Sequence, residues 1–188
     1  MDYLISDLHL DHTNIIEYCD RPFSSIEEMN ETLVERWNGQ IAPDDTVVYG
    51  GDLTIRSQAA ALLDWLEQLN GEMVFVLGNH DNIVLDQLDH VQFVEETRFT
   101  HRGVPFHVVH DPAAGPSNPT GWLLHGHHHN NWPEEFPFID HGSRRVNFSV
   151  ELLGYRPLAV DRLVEYLACG EQFSDRAAAE RALDTNKN

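Results

Sequence analysis

Short apolar runs that end in polar loops recur along the first half of the chain. Tyr3-Leu4-Ile5 and residues 46–49 and 73–77 read as buried strands. They lead into Ser6-Asp7-Leu8-His9-Leu10-Asp11-His12, residues 50–56, and Gly78-Asn79-His80-Asp81, stretches too polar for a core. Helical patterns lie between them. Ser25 and Glu28 have the spacing of a capping box, Ile26, Met29, Leu33 and Trp37 share one stripe, and Gly39 closes the helix. Ser57 is expected to cap a second helix that turns Ala59, Leu62, Leu63, Leu66 and Leu69 inward and stops at Gly71. Residues 14–18 suit a short helical turn. Strand, polar loop and helix in alternation predict an α/β sheet with ligand residues gathered on the rim where the strands end.

From Phe93 the texture changes. Residues 93–99 and 104–109, around the turn His101-Arg102-Gly103, read as a hairpin that delivers His110. A loop rich in Pro, Gly, Ser and Asn (113–120) precedes Trp122-Leu123-Leu124, a strand that delivers the run His125-Gly126-His127-His128-His129. In extended backbone, His127 and His129 would face one side and His128 the other. An irregular Pro-rich stretch (132–142) follows, then strands at 145–150 and 155–160, and a helix capped by Asp161 that runs to Ala168 and stops at Gly170. Residues 1–170 read as one domain and 171–188 as a peripheral helix or tail.

Composition narrows the class. A chain of 188 residues, 41% hydrophobic, can bury the core of one ordinary domain. Its net charge is −19, from 12 Lys+Arg against 31 Asp+Glu, and Lys187 is the one lysine. Such a surface keeps a protein dispersed where salt screens charge, which points to a salt-loving, haloarchaeal or haloviral source. It argues against a long nucleic-acid duplex as partner. A small phosphorylated substrate stays compatible, because metal ions can supply local positive charge. Cys19 and Cys169 stand far apart and read as reduced thiols. The chain has no apolar run long enough for a bilayer and no room for a signal peptide before Asp7, so a cytoplasmic protein is expected. Oligomeric state is left open.

Candidate chemistry sits at the strand ends, and its order is specific. Asp7-Leu8-His9, Gly51-Asp52, Gly78-Asn79-His80-Asp81, His110 and Gly126-His127-His128-His129 follow one another as D-x-H, G-D, G-N-H-[DE], H and G-H-x-H. In these motifs the chain resembles the calcineurin-like metallophosphoesterases from about residue 3 to residue 129. The resemblance implies a four-layer β-sandwich flanked by helices, two divalent metal ions at the strand ends, and hydrolysis of a phosphodiester or phosphomonoester. It would make Asp7, His9 and His129 ligands of one ion, and Asn79, His110 and His127 ligands of the other, with Asp52 bridging them. It would also make His80 the general acid at the leaving oxygen. Asp81, beside it, reads either as a carboxylate that orients His80 or as one that stands behind the metal ligands.

The donor types agree with this. Carboxylate, amide and imidazole together suit Mn²⁺, and also Zn²⁺, Fe or Ni²⁺, better than an all-oxygen Ca²⁺ cage or a thiolate site. Two such ions ~3.5–4 Å apart clamp phosphoryl oxygens, and a water they share loses its proton near neutral pH and attacks phosphorus in line. The Ser/Thr protein phosphatases carry G-D-x-x-D-R; here Ile55 stands where the second Asp would be, which weighs against a protein substrate. Arg56 remains a candidate phosphate contact or a surface charge. His12 and Asn14 are candidate substrate contacts or capping residues, and the insert that holds them and Arg21-Pro22-Phe23 would set substrate choice. Arg144 and Arg145 read as solvated strand-end charges, with a phosphate pocket as the alternative. Two other functions stay in view: a nuclease acting on single-stranded nucleic acid, and a non-catalytic metal-binding scaffold.

Overall fold

Leu4, Ile5, Val47, Val48, Phe75 and Val76 are removed from water. Consecutive rather than alternating burial is what a parallel sheet covered on both faces requires. The structure, a computed structural model, describes residues 1–55, 59–81 and 88–185. In the first sheet β1 (Tyr3–Ile5), β2 (Thr46–Tyr49), β3 (Glu72–Val76) and β4 (Val91–Val94) run parallel, and β10 (Leu158–Ala159) lies antiparallel on the outer side of β1. The second sheet has the order β5 (Thr97–His101), β6 (Val104–Val108), β7 (Trp122–His125), β9 (Arg145–Asn147) and β8 (Ile139–Asp140). There β6, β7 and β9 are parallel, while β5 and β8 are antiparallel edges. Parallel strands put their C-terminal ends on one rim, so both sheets present their loops together.

The rims are stitched to each other. Beyond β9 the chain continues across to the first sheet, where Ser149 bridges Ser6 and Val150 N–H donates to the Ser6 carbonyl at 3.0 Å. One continuous apolar core, including Leu4, Trp37, Phe75, Phe106, Leu124, Phe148 and Tyr166, joins the sheets and helices.

Helix α1 (Ile15–Tyr18) is a single turn, and α2 (Ile26–Asn38) buries Met29, Leu33 and Trp37. Ser25 Oγ accepts from Glu28 N–H, but Glu28 reaches back to Ser24 instead of Ser25, so the capping box is shared between two serines. Helix α3 (Ala59–Leu66) follows; its expected cap, Ser57, lies outside the described residues. Helix α4 (Val160–Ala168) begins two residues earlier than expected, with Ala159 rather than Asp161 at the N-cap. Asp161 sits in its first turn, where a carboxylate complements the helix dipole, and pairs with His101 and Arg102. Helix α5 (Arg176–Thr185) lies against α4 and buries Ala179.

The expected hairpin is corrected. Residues 91–94 pair with β3, and only residues 97–101 pair with β6, so the chain crosses between sheets at the exposed Glu95-Glu96. The strand expected at 155–160 shrinks to the two residues of β10, and the one expected at 145–150 ends at Asn147. No helix among the described residues is long and apolar enough to cross a membrane.

Candidate metal centre

Each candidate ligand stands after a strand: Asp7 and His9 after β1, Asp52 after β2, Asn79 after β3 with the candidate acid His80 beside it, His110 after β6, and His127 and His129 after β7. Asp7 (φ 61°), His9 (φ 50°), Asp52 (φ 58°), His127 (φ 70°) and His129 (φ 51°) adopt left-handed backbone. Such conformations cost about 1–3 kcal/mol each and persist only where the surroundings enforce them. Here they do. The β1 loop pairs with the β2 loop through Asp7 N–H to the Gly51 carbonyl (3.0 Å), His9 N–H to Asp52 (3.1 Å) and Leu10 N–H to Leu53 (2.7 Å). The buried Tyr49 hydroxyl accepts from Leu8 N–H and donates to the Asp52 carbonyl. Close approach needs glycine at two points. A Cβ on Gly78 would run into the Asp52 carboxylate, and one on Gly126 into the Asp7 carboxylate and Ser6 Oγ.

The His run is a turn, not a strand. Positive φ at His127 and His129 sends their rings to different partners, while His128 stacks on Phe136, ring centroids 3.6 Å apart. The expected split between His128 and its neighbours therefore holds, but turn geometry produces it.

Two groups of donor atoms form. Asn79 Oδ1 lies 3.1 Å from His110 Nε2 and 2.9 Å from His127 Nδ1, and the two ring nitrogens are 3.2 Å apart. Asp7, His9 and His129 form the second group, with ligand atoms within 4.8 Å of one another. Between them Asp52 Oδ2 lies 3.5 Å from His9 Nε2 and 3.3 Å from His110 Nε2. The donor chemistry fits cations. His110 Nδ1 is 2.8 Å from the Gly50 carbonyl, which holds a proton on that nitrogen, so the neutral ring turns its Nε2 lone pair to two oxygen acceptors. Among the described residues, His9 Nε2 is buried without a hydrogen-bond partner. Acceptors facing acceptors in a buried cluster require positive charge between them.

The protonation behaviour gives the same picture. Burial disfavours the charged ring of His110, yet its bond to Asp52 and the Asp7 charge push it up to about 9. Burial likewise opposes His129, and Asp7, Cys19 and Glu151 outweigh it to push the ring up to about 11. These two sites attract a cation, and without metal a proton is the one at hand. Burial and the His129 charge instead drive His9 down to about 2, so its ring is a neutral donor. Burial opposes ionisation of Asp52, but the hydrogen bond and charge of His110 hold its carboxyl at about 2.

The remaining expected residues divide. His80 is exposed, with its N–H on Asp52 Oδ1 (2.9 Å) and its ring 5.3 Å from that of His9, outside both donor groups. His12 Nδ1 is 3.2 Å from His9 Nδ1. Asn14 is exposed at the start of α1, and its side chain does not cap the helix. Arg56 lies outside the described residues. Asp81 does not turn to His80: its carboxylate accepts from the N–H groups of Asp52 (2.6 Å), Gly78 (2.8 Å) and Leu53 (3.2 Å), and so clamps the β2 and β3 loops together. Burial, then the Asp52 charge, raises it to about 6 against those bonds. Arg21, expected on the substrate side, is buried beneath the site and donates to the carbonyls of Asp7 (2.8 Å) and Leu8 (2.7 Å). Arg144 and Arg145 stand at the start of β9, on the opposite rim. Sequence reasoning missed Glu151, whose Oε1 takes Arg21 Nη2 (2.6 Å) and lies 3.1 Å from His129 Nδ1. The available signal was a lone carboxylate between Val150 and Leu152-Leu153.

A family model described as calcineurin-like phosphoesterase matches residues 3–185. An uncharacterized protein of Methanocaldococcus jannaschii is 41% identical over 172 residues, covering 90% of this chain and 92% of its own length. Among solved structures, a protein of unknown function from Aquifex aeolicus has a TM-score of 0.60 at 21% identity, covering 86% of this chain and 96% of that one, a likeness of fold.

Proposed function

The chain belongs to the calcineurin-like phosphoesterase family, and from that premise we propose that it hydrolyses a small phosphodiester or phosphomonoester with two divalent metal ions, Mn²⁺ by preference. One observation carries the reading: ligand atoms from five strand ends gather about Asp52 and Asn79, and His9 Nε2 is buried with no hydrogen-bond partner among the described residues. Asp7, His9 and His129 would hold one ion, Asn79, His110 and His127 the other, and Asp52 would reach both. When bound, such ions supply Lewis-acid charge at the phosphoryl oxygens and a nucleophilic water near neutral pH.

The chain's own part is placement and proton transfer. Asp81 locks Asp52 and Gly78 in register by accepting from their N–H groups. His80 is exposed beside His9, with its backbone N–H on Asp52 Oδ1, and its ring would protonate the leaving oxygen. His12 and Asn14, on the same rim, and Arg56 are assigned to the substrate. Both cysteines are free thiols, which fits a reducing, cytoplasmic setting.

The test is a panel of aryl phosphodiester and phosphomonoester substrates with Mn²⁺, Zn²⁺ or Ni²⁺ added back to metal-stripped protein. Turnover should depend on metal and vanish in Asp52→Asn together with metal binding. His80→Ala should keep its metal and slow turnover by about 10²–10⁴. Full metal loading with no turnover on any ester would favour a non-catalytic scaffold.

A further inference from the structure

Strand pairing brings two loops together on the rim away from the metal centre. β7 and β9 are parallel neighbours, so the loops that enter them meet, and Leu123 N–H donates to the Arg144 carbonyl at 2.9 Å. Between these loops lies a cavity of about 520 Å³, lined by Ser117, Asn118 and Thr120 from one and by Ser143 and Arg144 from the other. β7 is four residues long, and at about 3.3 Å per residue roughly 13 Å of strand separates the two rims.

Charge sets this cavity apart. Asp and Glu make up 31 of 188 residues, yet among the described residues no carboxylate lines it. Arg21, Arg98, Arg102, Arg162 and Arg176 each hold a carboxylate. Arg144 holds none: its guanidinium and the side chains of Ser117, Asn118 and Thr120 have no hydrogen-bond or ionic partner among the described residues. Asp140, four positions before Arg144, is turned onto its own loop. Its Oδ1 accepts from the N–H groups of Gly142 (2.9 Å) and Ser143 (3.2 Å), and its Oδ2 from the Ser143 hydroxyl. Those bonds close the turn that carries Arg144, whose backbone stands at φ 54°. Arg145 follows, its Nε buried without a hydrogen-bond partner among the described residues, and adds a second positive charge next to the first.

We propose that this cavity binds a phosphate group, free or as the head of a small sugar phosphate. A guanidinium presents paired N–H donors to phosphate oxygens. The hydroxyls of Ser117 and Thr120 and the amide of Asn118 donate from the facing loop. Donors on two sides suit a tetrahedral group with several terminal oxygens; a planar carboxylate has two oxygens and meets one side. Pro119 is the one apolar side chain in the lining, so an apolar acid finds little to hold it. A net charge of −19 repels anions over the surface as a whole, and an unpaired Arg in a carboxylate-free cavity is where that repulsion is relieved. The site lies across the sheet from the candidate ligands, so it is no part of the metal centre and does not rest on the phosphoesterase reading.

The test is calorimetric titration of the full-length protein with inorganic phosphate at low ionic strength, in the Mn²⁺-loaded natural chain and in Asp52→Asn, where the metal centre contributes no phosphate site. Asp52→Asn should bind one phosphate. Adding Arg144→Gln should weaken that binding by about 10- to 100-fold, and the same loss should appear in the Mn²⁺-loaded protein. Arg144→Lys should recover part of it, and Ser117→Ala with Thr120→Val should weaken it further. Acetate should bind about tenfold more weakly than phosphate. Ribose 5-phosphate separates the two sources: affinity equal to or above that of phosphate assigns the site to sugar phosphates, and lower affinity assigns it to the free ion. No phosphate bound by Asp52→Asn at millimolar concentration, an affinity that survives Arg144→Gln, or equal affinity for acetate would overturn the proposal.

Discussion

Glu151 shows how much one buried side chain organises. Its Oε1 accepts two bonds from Arg21 and faces His129 Nδ1. A ring that donates from Nδ1 keeps its Nε2 lone pair toward Asp7, the orientation a ligand needs. Burial opposes ionisation of Glu151, but the Arg21 charge and His129 hold its carboxyl down at about 2 from an ordinary 4.5. A folded-state value below the unfolded one stabilises the fold above pH 4.5, and that contribution is lost as pH falls toward 2. Glu151→Gln would leave Arg21 buried without its countercharge, a loss of about 3–5 kcal/mol at neutral pH. It should also flatten the acid limb of urea-unfolding stability between those two pH values. An unchanged acid limb would mean that the pair contributes nothing to folding.

At the scale of elements, the strands deliver the residues and the loops hold them in strained conformations. Gly126 is the tightest point, since it lets the β7 loop approach the Asp7 carboxylate. Gly126→Ala forces a Cβ into that carboxylate, and overpacking of this kind costs roughly 1–3 kcal/mol. A lower melting temperature together with weaker metal binding is expected by scanning calorimetry and titration; unchanged metal affinity would show that the approach is not needed. The rim itself was legible in the sequence, because apolar runs that stop abruptly at Asp7, Asp52 and Asn79 have no other economical reading. Partner choice was not. Residues 91–99 have the composition of one strand, and nothing in their period says that the first part joins β3 and the last part β6. Asp81 had two readings in the sequence, one facing His80 and one behind the ligands, and only the fold, by bringing three backbone N–H groups to its oxygens, selects the second. Arg21 gave no sign that it would be buried beneath Asp7.

For the whole molecule, charge and centre belong together. The net charge of −19 is a burden at low ionic strength, because exposed carboxylates repel one another across the surface. The salt-adapted reading rests on this charge alone. It predicts that the melting temperature climbs steadily as KCl rises from millimolar to molar, and a flat profile would count against it. The buried centre concentrates the same problem, since Asp7, Asp52 and Glu151 lie within one cluster of rings and need cations to balance them. Anomalous X-ray scattering from crystals grown with Mn²⁺ tests this most directly. Two peaks are expected, one among Asp7, His9 and His129 and one among Asn79, His110 and His127, with the Asp52 carboxylate reaching both. Crystals that show no peak there, or that show Asp52 Oδ2 bonded only to protein, would contradict the account.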